Sequence, residues 1–253
     1  MIIDAHAHIS NSTYGNVDLY QDQLDESGVN QGIVVPGGTL DVRKMTEYIM
    51  GRSEPENPVP DNAYVRQACN THNQLLGFMC IDPHEHNAAE KLQEGFNNGF
   101  RGLKLTPMTH QFSFASEAVA ELASLCGNHD YPVYSHVVYN PGASTSRFIA
   151  LAKKYPQTNF ILGHMGFGPA DVEGLDAACE LDNLFLETST GSFLHLKEAV
   201  SKAGPSKVIY GSEFPLSHPK VELEKILYLN LKDNALEKIL GENIKMLLQL
   251  EVS

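Results

Sequence analysis

Eight short runs of β-branched, aromatic and aliphatic residues recur along this chain, at 2–8, 32–35, 76–81, 102–105, 133–137, 160–163, 184–187 and 208–210. All but one of the intervals between them are roughly 25 to 30 residues, which leaves room for one helix and two turns. Helix-like patterns fill several of those spaces, at 19–27, 118–128, 147–155 and 194–203. Short strands that alternate with amphipathic helices run parallel, and eight such units predict an α/β protein, a closed (β/α)8 TIM barrel occupying residues 1–253 as a single domain. An open doubly wound sheet would carry a Gly-rich phosphate turn after its first strand. Here that place holds His6-Ala7-His8 followed by Ser10-Asn11-Ser12.

The one long interval, between the second and third runs, holds a helix-like stretch over 41–50, a proline-rich run over 51–60 and a second helix opening at Asp61, a good N-cap. A loop that follows a barrel strand lies on the catalytic face, so this segment can cover a site; a surface loop stiffened by proline is the plain alternative. From residue 221 onward the pattern reads as terminal helices, with Gly241 breaking the last two.

In a barrel the C-terminal strand ends converge on one mouth, so residues far apart in sequence become neighbours there. The first run ends in His6 and His8, which share a face by strand alternation and suit a single divalent metal ion. Asp4 has the same parity one layer deeper and reads as a hydrogen-bonding group. The fourth run carries Lys104 among apolar neighbours, the fifth ends in His136, the sixth in His164 and the eighth in Glu213. Burying unpaired ionisable groups is costly, so this many at one mouth points to metal binding or catalysis rather than packing. Glu187, ending the seventh run, can contact His164 or a substrate. His72, His84, His86, His129 and His195 read as structural or solvated, whereas His110 and His218 follow strands and can reach a substrate. Phe112, Phe114, Tyr139, Phe167 and Phe214 near strand ends suit an aromatic or polyunsaturated ligand, or the core.

A net charge of -13 argues against a general nucleic-acid or anionic-membrane binder. Cys69, Cys80, Cys126 and Cys179 show no C-x-x-C spacing and read as free, mostly buried thiols of a reducing compartment. No apolar run approaches the ~20 residues of a membrane span, and a strand starting at residue 2 leaves no room for a leader. These features suggest a cytoplasmic protein with a small-molecule substrate. Apolar terminal helices suit a homodimer.

The motifs IIDAHAHI (2–9), GFRGLKLTP (99–107), VYSHV (133–137), FILGHMG (160–166), VIYGSEFP (208–215) and GENIKMLL (241–248) together resemble the amidohydrolase superfamily. The similarity is to its amidohydrolase-related branch, which includes carboxymuconate-semialdehyde decarboxylase and related hydrolases. This resemblance implies a metal site held by His6, His8 and His136, with Glu213 on or near the ion, and zinc as the default; manganese or iron suit the same nitrogen and oxygen donors. It makes His164 a second-metal ligand, base or substrate contact. Lys104 pairs with a substrate carboxylate or, if carbamylated, bridges two metals. The implied chemistry is attack of a metal-activated water on a carbonyl, with Glu213 relaying the proton and His164 steadying the oxyanion. An ester, lactone, amide or C–C bond next to a carbonyl would be cleaved. Decarboxylation or hydration on the same site is the second reading, and a non-catalytic or metal-free barrel with a decayed site is the third. Two positions depart from the branch: Glu213 stands where an aspartate is usual, and Thr106 where many relatives have histidine.

Overall fold

The computed structural model describes residues 1–54, 56 and 58–250. Strand β1 (Ile3–Ile9) pairs with β2 (Gln31–Pro36), and β2 with the first piece of β3 (Leu75–Gly77 and Met79–Cys80). From the second piece of β3 the pairing continues through β4 (Leu103–Leu105), β5 (Val133–Ser135), β6 (Phe160–Leu162), β7 (Leu184–Glu187) and β8 (Val208–Ile209). Every pairing is parallel. At the break in β3, the Phe78 amide donates to the Val34 carbonyl at 3.0 Å and the Met79 amide to Gly102 at 2.9 Å, so the two pieces carry the ladder from one neighbour to the next. The last strand then returns to the first. Ala5 donates to the Tyr210 carbonyl at 3.0 Å, Glu213 to His6 at 2.8 Å and His8 to Phe214 at 2.7 Å, and these bonds close the predicted barrel.

Helices α1 (Val17–Ser27), α2 (Asn62–Thr71), α3 (Ala88–Asn97), α4 (Glu117–Asn128), α5 (Thr145–Lys154), α6 (Val172–Glu180), α7 (Phe193–Lys202) and α8 (Pro219–Leu227) follow the strands in turn. Short polar side chains set their starts. Asn16, Asp61, Ser116, Asp171 and Ser192 each accept a first-turn amide, satisfying a donor that the helix cannot. Among the described residues no helix is long and apolar enough to cross a membrane. Within the long β2–α2 connection, a 3-10 turn at Val42–Lys44 leads into a short helix at Met45–Ile49. Pro55 and Asn57 of the proline-rich run lie outside the described residues.

Two expectations fail for physical reasons. Gly241 does not break the terminal helices: a π-helical turn, Lys238–Glu242, joins Asp233–Glu237 to Asn243–Leu247, and a Cβ at Gly241 would overlap the Met1 carbonyl. The glycine serves close approach rather than termination. Beyond it, Ile244, Leu247 and Leu248 pack with Ile3, Ile33, Phe78 and Ile161 and close the bottom of the barrel.

The second failure is the parity of Asp4. Pairing of β1 with β2 jumps from Asp4↔Gly32 to Ala7↔Val34, three residues against two, which is a β-bulge. Before the bulge Ile3 and Ala5 pack inside the barrel with Ile33 and Val35; after it Ala7 and Ile9 pack in the helix layer with Val34, Tyr20 and Leu24. His6 and His8 therefore face the barrel interior while Asp4 faces out, accepting the Tyr20 hydroxyl of α1 at 2.8 Å. The one extra residue resets which face each side chain takes. Tyr20 reaches Asp4 across Gly32, where any Cβ would overlap its hydroxyl.

Candidate active site

The site is assembled on the inward face of the strands. Lys104 of β4 and Tyr134 of β5 stand in register. Both are buried, with Lys104 Nζ 2.9 Å from His6 Nε2 and 4.0 Å from the centroid of the Tyr134 ring. The Tyr134 hydroxyl donates to Glu187 Oε2 at 2.7 Å and lies 2.6 Å from His6 Nδ1. That same nitrogen is 2.7 Å from Glu213 Oε2. One layer up, His8 Nδ1 lies 3.3 Å from the Pro36 carbonyl, which leaves Nε2 directed towards Glu213 Oε1 at 3.6 Å.

His164 and Glu213 both sit in left-handed backbone, at φ 60° each, a conformation that costs a side chain of this size about 1–3 kcal/mol. The surroundings hold His164 there. Its amide donates to Glu187 Oε2 at 3.2 Å and its Nδ1 is 3.1 Å from the Ser189 carbonyl, so Nε2 is turned towards Glu213 Oε2 at 3.8 Å. Glu187 is the hub of this arrangement, since Ser189 also donates to it through its amide at 2.6 Å and its hydroxyl at 2.8 Å. The expected contact between Glu187 and His164 is thus made through the His164 backbone. His136 lies with its ring 6.4 Å from that of His164, and its Nε2 is buried without a partner.

Burial sets several imidazoles against one carboxylate. Burial pushes His6 and His136 well below the ordinary histidine range and His8 down to about 4. Burial likewise lowers Lys104 to about 8. For Glu213 burial pulls the other way, yet His6, His164 and His8 around it hold its carboxyl well below the usual range. His6, His164 and Glu213 offer ligand atoms that all lie within 4.8 Å of one another. A neutral imidazole is the form that binds a metal, and His136 Nε2 beside this group is a buried nitrogen that no other group among the described residues engages. The residues therefore fit a divalent ion.

His8, His136, His164 and Glu213 form the floor of a cavity of about 330 Å³, and Leu40, Val42, Met45 and Ile49 form part of its wall. The β2–α2 connection thus does cover the mouth. Lys104 lies beneath His6 and is not among the residues lining the cavity. Of the five aromatic residues singled out in the sequence, Phe167 alone lines it; Phe112, Phe114 and Phe214 are buried in the core and Tyr139 is 87% exposed. His110 is spent on structure, its ring bonded to Thr106 Oγ1 and the Pro58 carbonyl, and His218 caps α8. Sequence reasoning missed Tyr134, although its spacing two residues before His136 in VYSHV puts it on the same strand face.

A parallel barrel with imidazoles and a carboxylate at the ends of β1, β5, β6 and β8 defines a class of (β/α)8 proteins whose chemistry is gathered at one mouth. The sequence model of the amidohydrolase family matches residues 3–250, and the chain belongs to that family. No curated protein matches it by sequence. Among solved structures it is similar to an uncharacterised TIM-barrel protein from Bordetella bronchiseptica, 18% identical with a TM-score of 0.78 over 98% of both chains. It is also similar to a dihydroxybenzoic acid decarboxylase from Polaromonas with bound manganese and the inhibitor 2-nitroresorcinol, 16% identical, TM-score 0.74, covering 100% of this chain and 98% of that one. A probable 2-pyrone-4,6-dicarboxylic acid hydrolase from Acinetobacter baumannii, with citric acid bound, is 14% identical with a TM-score of 0.69 over 98% and 99% of the two chains. At these identities the likeness establishes the shared fold.

Proposed function

We propose that this protein is a metal-dependent hydrolase acting beside a carbonyl of a small organic substrate, an ester, lactone, amide or activated C–C bond. The observation that carries the reading is the convergence of His6, His164 and Glu213, with ligand atoms within 4.8 Å of one another, two of which, His164 and Glu213, line the floor of a cavity above the buried His6. His6, His8, His136 and Glu213 would hold the ion, zinc first, with manganese or iron suited to the same donors. When bound, it polarises the substrate carbonyl and lowers the pKa of water. Glu213 receives the proton of the attacking water at its carboxylate and returns it to the leaving group. His164, with Nδ1 directed at the Ser189 carbonyl, turns Nε2 towards Glu213, placed to borrow that same proton from the carboxyl, steady the oxyanion while carrying it, and hand it back for the leaving group. We assign Lys104 to holding His6 rather than to meeting substrate, because its Nζ is buried against the His6 ring. The four cysteines are free, and we place the protein in a reducing cytoplasm.

One observation favours a second reading. The apolar wall above the floor would strip water from a substrate carboxylate, which promotes decarboxylation on the same residues. Metal analysis of the purified protein, with His6→Ala and Glu213→Ala as controls, beside parallel assays of acid release and CO2 release separates the readings. Acid release that tracks metal content is the expected result. CO2 release alone moves the assignment to a decarboxylase, and metal well below one equivalent in every preparation, reconstituted ones included, overturns both.

A further inference from the structure

The walls of the cavity are as selective as its floor. Leu40, Met45, Ile49, Met108, Phe167 and Leu216 make their apolar part, with neutral serine, threonine and tyrosine hydroxyls between them, and among the described lining residues none is lysine or arginine, while Glu213 is the sole carboxylate. The cations around it are committed elsewhere. Arg43 forks onto Asp41 at 2.8 and 2.9 Å with its guanidinium 4.7 Å from the Tyr14 ring centroid, Lys44 holds Glu56 at 3.2 Å, and Lys104 is buried under His6. A net charge of -13 adds a field that repels anions. An anionic substituent pressed against such a wall would lose its hydration and gain at most a neutral hydroxyl in place of a cation.

We infer that the cavity selects a substrate whose body is uncharged and apolar, with its one polar or charged group at the end that reaches the histidine–glutamate floor. This rests on the metal-hydrolase reading for what the floor does. At about 330 Å³ the space lies at the small end of ligand pockets, which span about 300–1,000 Å³, so the body is a single substituted ring or a short branched chain rather than a nucleotide, sugar or peptide. Met45 and Met108 give it thioether walls that adapt to a ring edge. A dicarboxylate, by contrast, finds one place for an anion and none for a second.

Benzohydroxamic acid and its 4-carboxy derivative test this without catalysis, since both present the same metal-seeking end and differ only in the charge carried into the wall. Titrated calorimetrically into the full-length protein loaded with manganese or zinc, the unsubstituted compound is expected to bind at least about 30-fold more tightly. Met45→Arg should narrow or invert that preference, while Met45→Leu keeps it. Equal or tighter binding of the carboxylated compound by the unmodified protein overturns the inference and leaves the reading of the floor standing. Binding of neither compound by metal-loaded protein removes the reading of the floor and the inference with it.

Discussion

At the scale of single residues, the site turns on how Glu213 does the work of a shorter acid. Its left-handed backbone, at φ 60°, and the bond from its amide to the His6 carbonyl at 2.8 Å place the longer side chain with Oε2 2.7 Å from His6 Nδ1. Glu213→Gln keeps the shape and removes the base, so kcat/KM should fall by about 10²–10⁴ in a steady-state assay on the substrate identified by screening. Glu213→Asp should retain metal and lose part of the rate, because the carboxylate withdraws by one methylene from His6. Tyr134→Phe deletes the hydroxyl shared by Glu187 and His6 without opening a cavity. Urea denaturation should show a loss of about 1–3 kcal/mol, the cost of leaving buried polar groups short of a partner.

At the scale of elements, β1 shows what can and cannot be read from sequence. The strand itself, its two imidazoles and their common face follow from alternation, as does the helix start at Asp61 from cap chemistry. The bulge between Asp4 and Ala7 does not, because a period-two pattern of Ile3, Ala5, Ala7 and Ile9 is unbroken in the letters and the extra residue shows only against the partner strand. Gly32→Ala tests the consequence. A Cβ there collides with the Tyr20 hydroxyl, and the thermal midpoint should drop by the equivalent of about 1–3 kcal/mol, the usual cost of overpacking. The cysteines, three on helices and Cys80 on β3, offer a second test. Cys179 on α6 is exposed, Cys126 on α4 is buried, and burial raises Cys80 to about 11 and Cys69 to about 12. A thiol reagent at pH 8 should therefore modify Cys179 rapidly, the half-buried Cys69 slowly, and Cys80 and Cys126 only on unfolding. The wall over the mouth was visible only as a long interval, since the facing of Leu40, Met45 and Ile49 depends on how that interval folds back over the strands.

For the whole molecule, metal and fold should be linked. An ion that binds the folded cluster and not the unfolded chain at a hundred times its Kd adds about 2.7 kcal/mol of stability, so the thermal midpoint should rise with added zinc or manganese and return on chelation. In His136→Ala the same titration should give a much smaller rise. The closing seam of the barrel gives this linkage a direction in time. Asp4 accepts the Ser212 amide at 2.8 Å and the Ser212 hydroxyl at 2.5 Å, and the His6 carbonyl takes the Glu213 amide. The first imidazoles of the chain, already held through β1 to β2, thus gain their carboxylate and the backbone bonds that close over them only when the segment after β8 docks. A chain halted before Ser212 carries His6, His8, His136 and His164 without Glu213 and without the seam that closes over them, so such a fragment should bind zinc or manganese more weakly than the chain that has that seam.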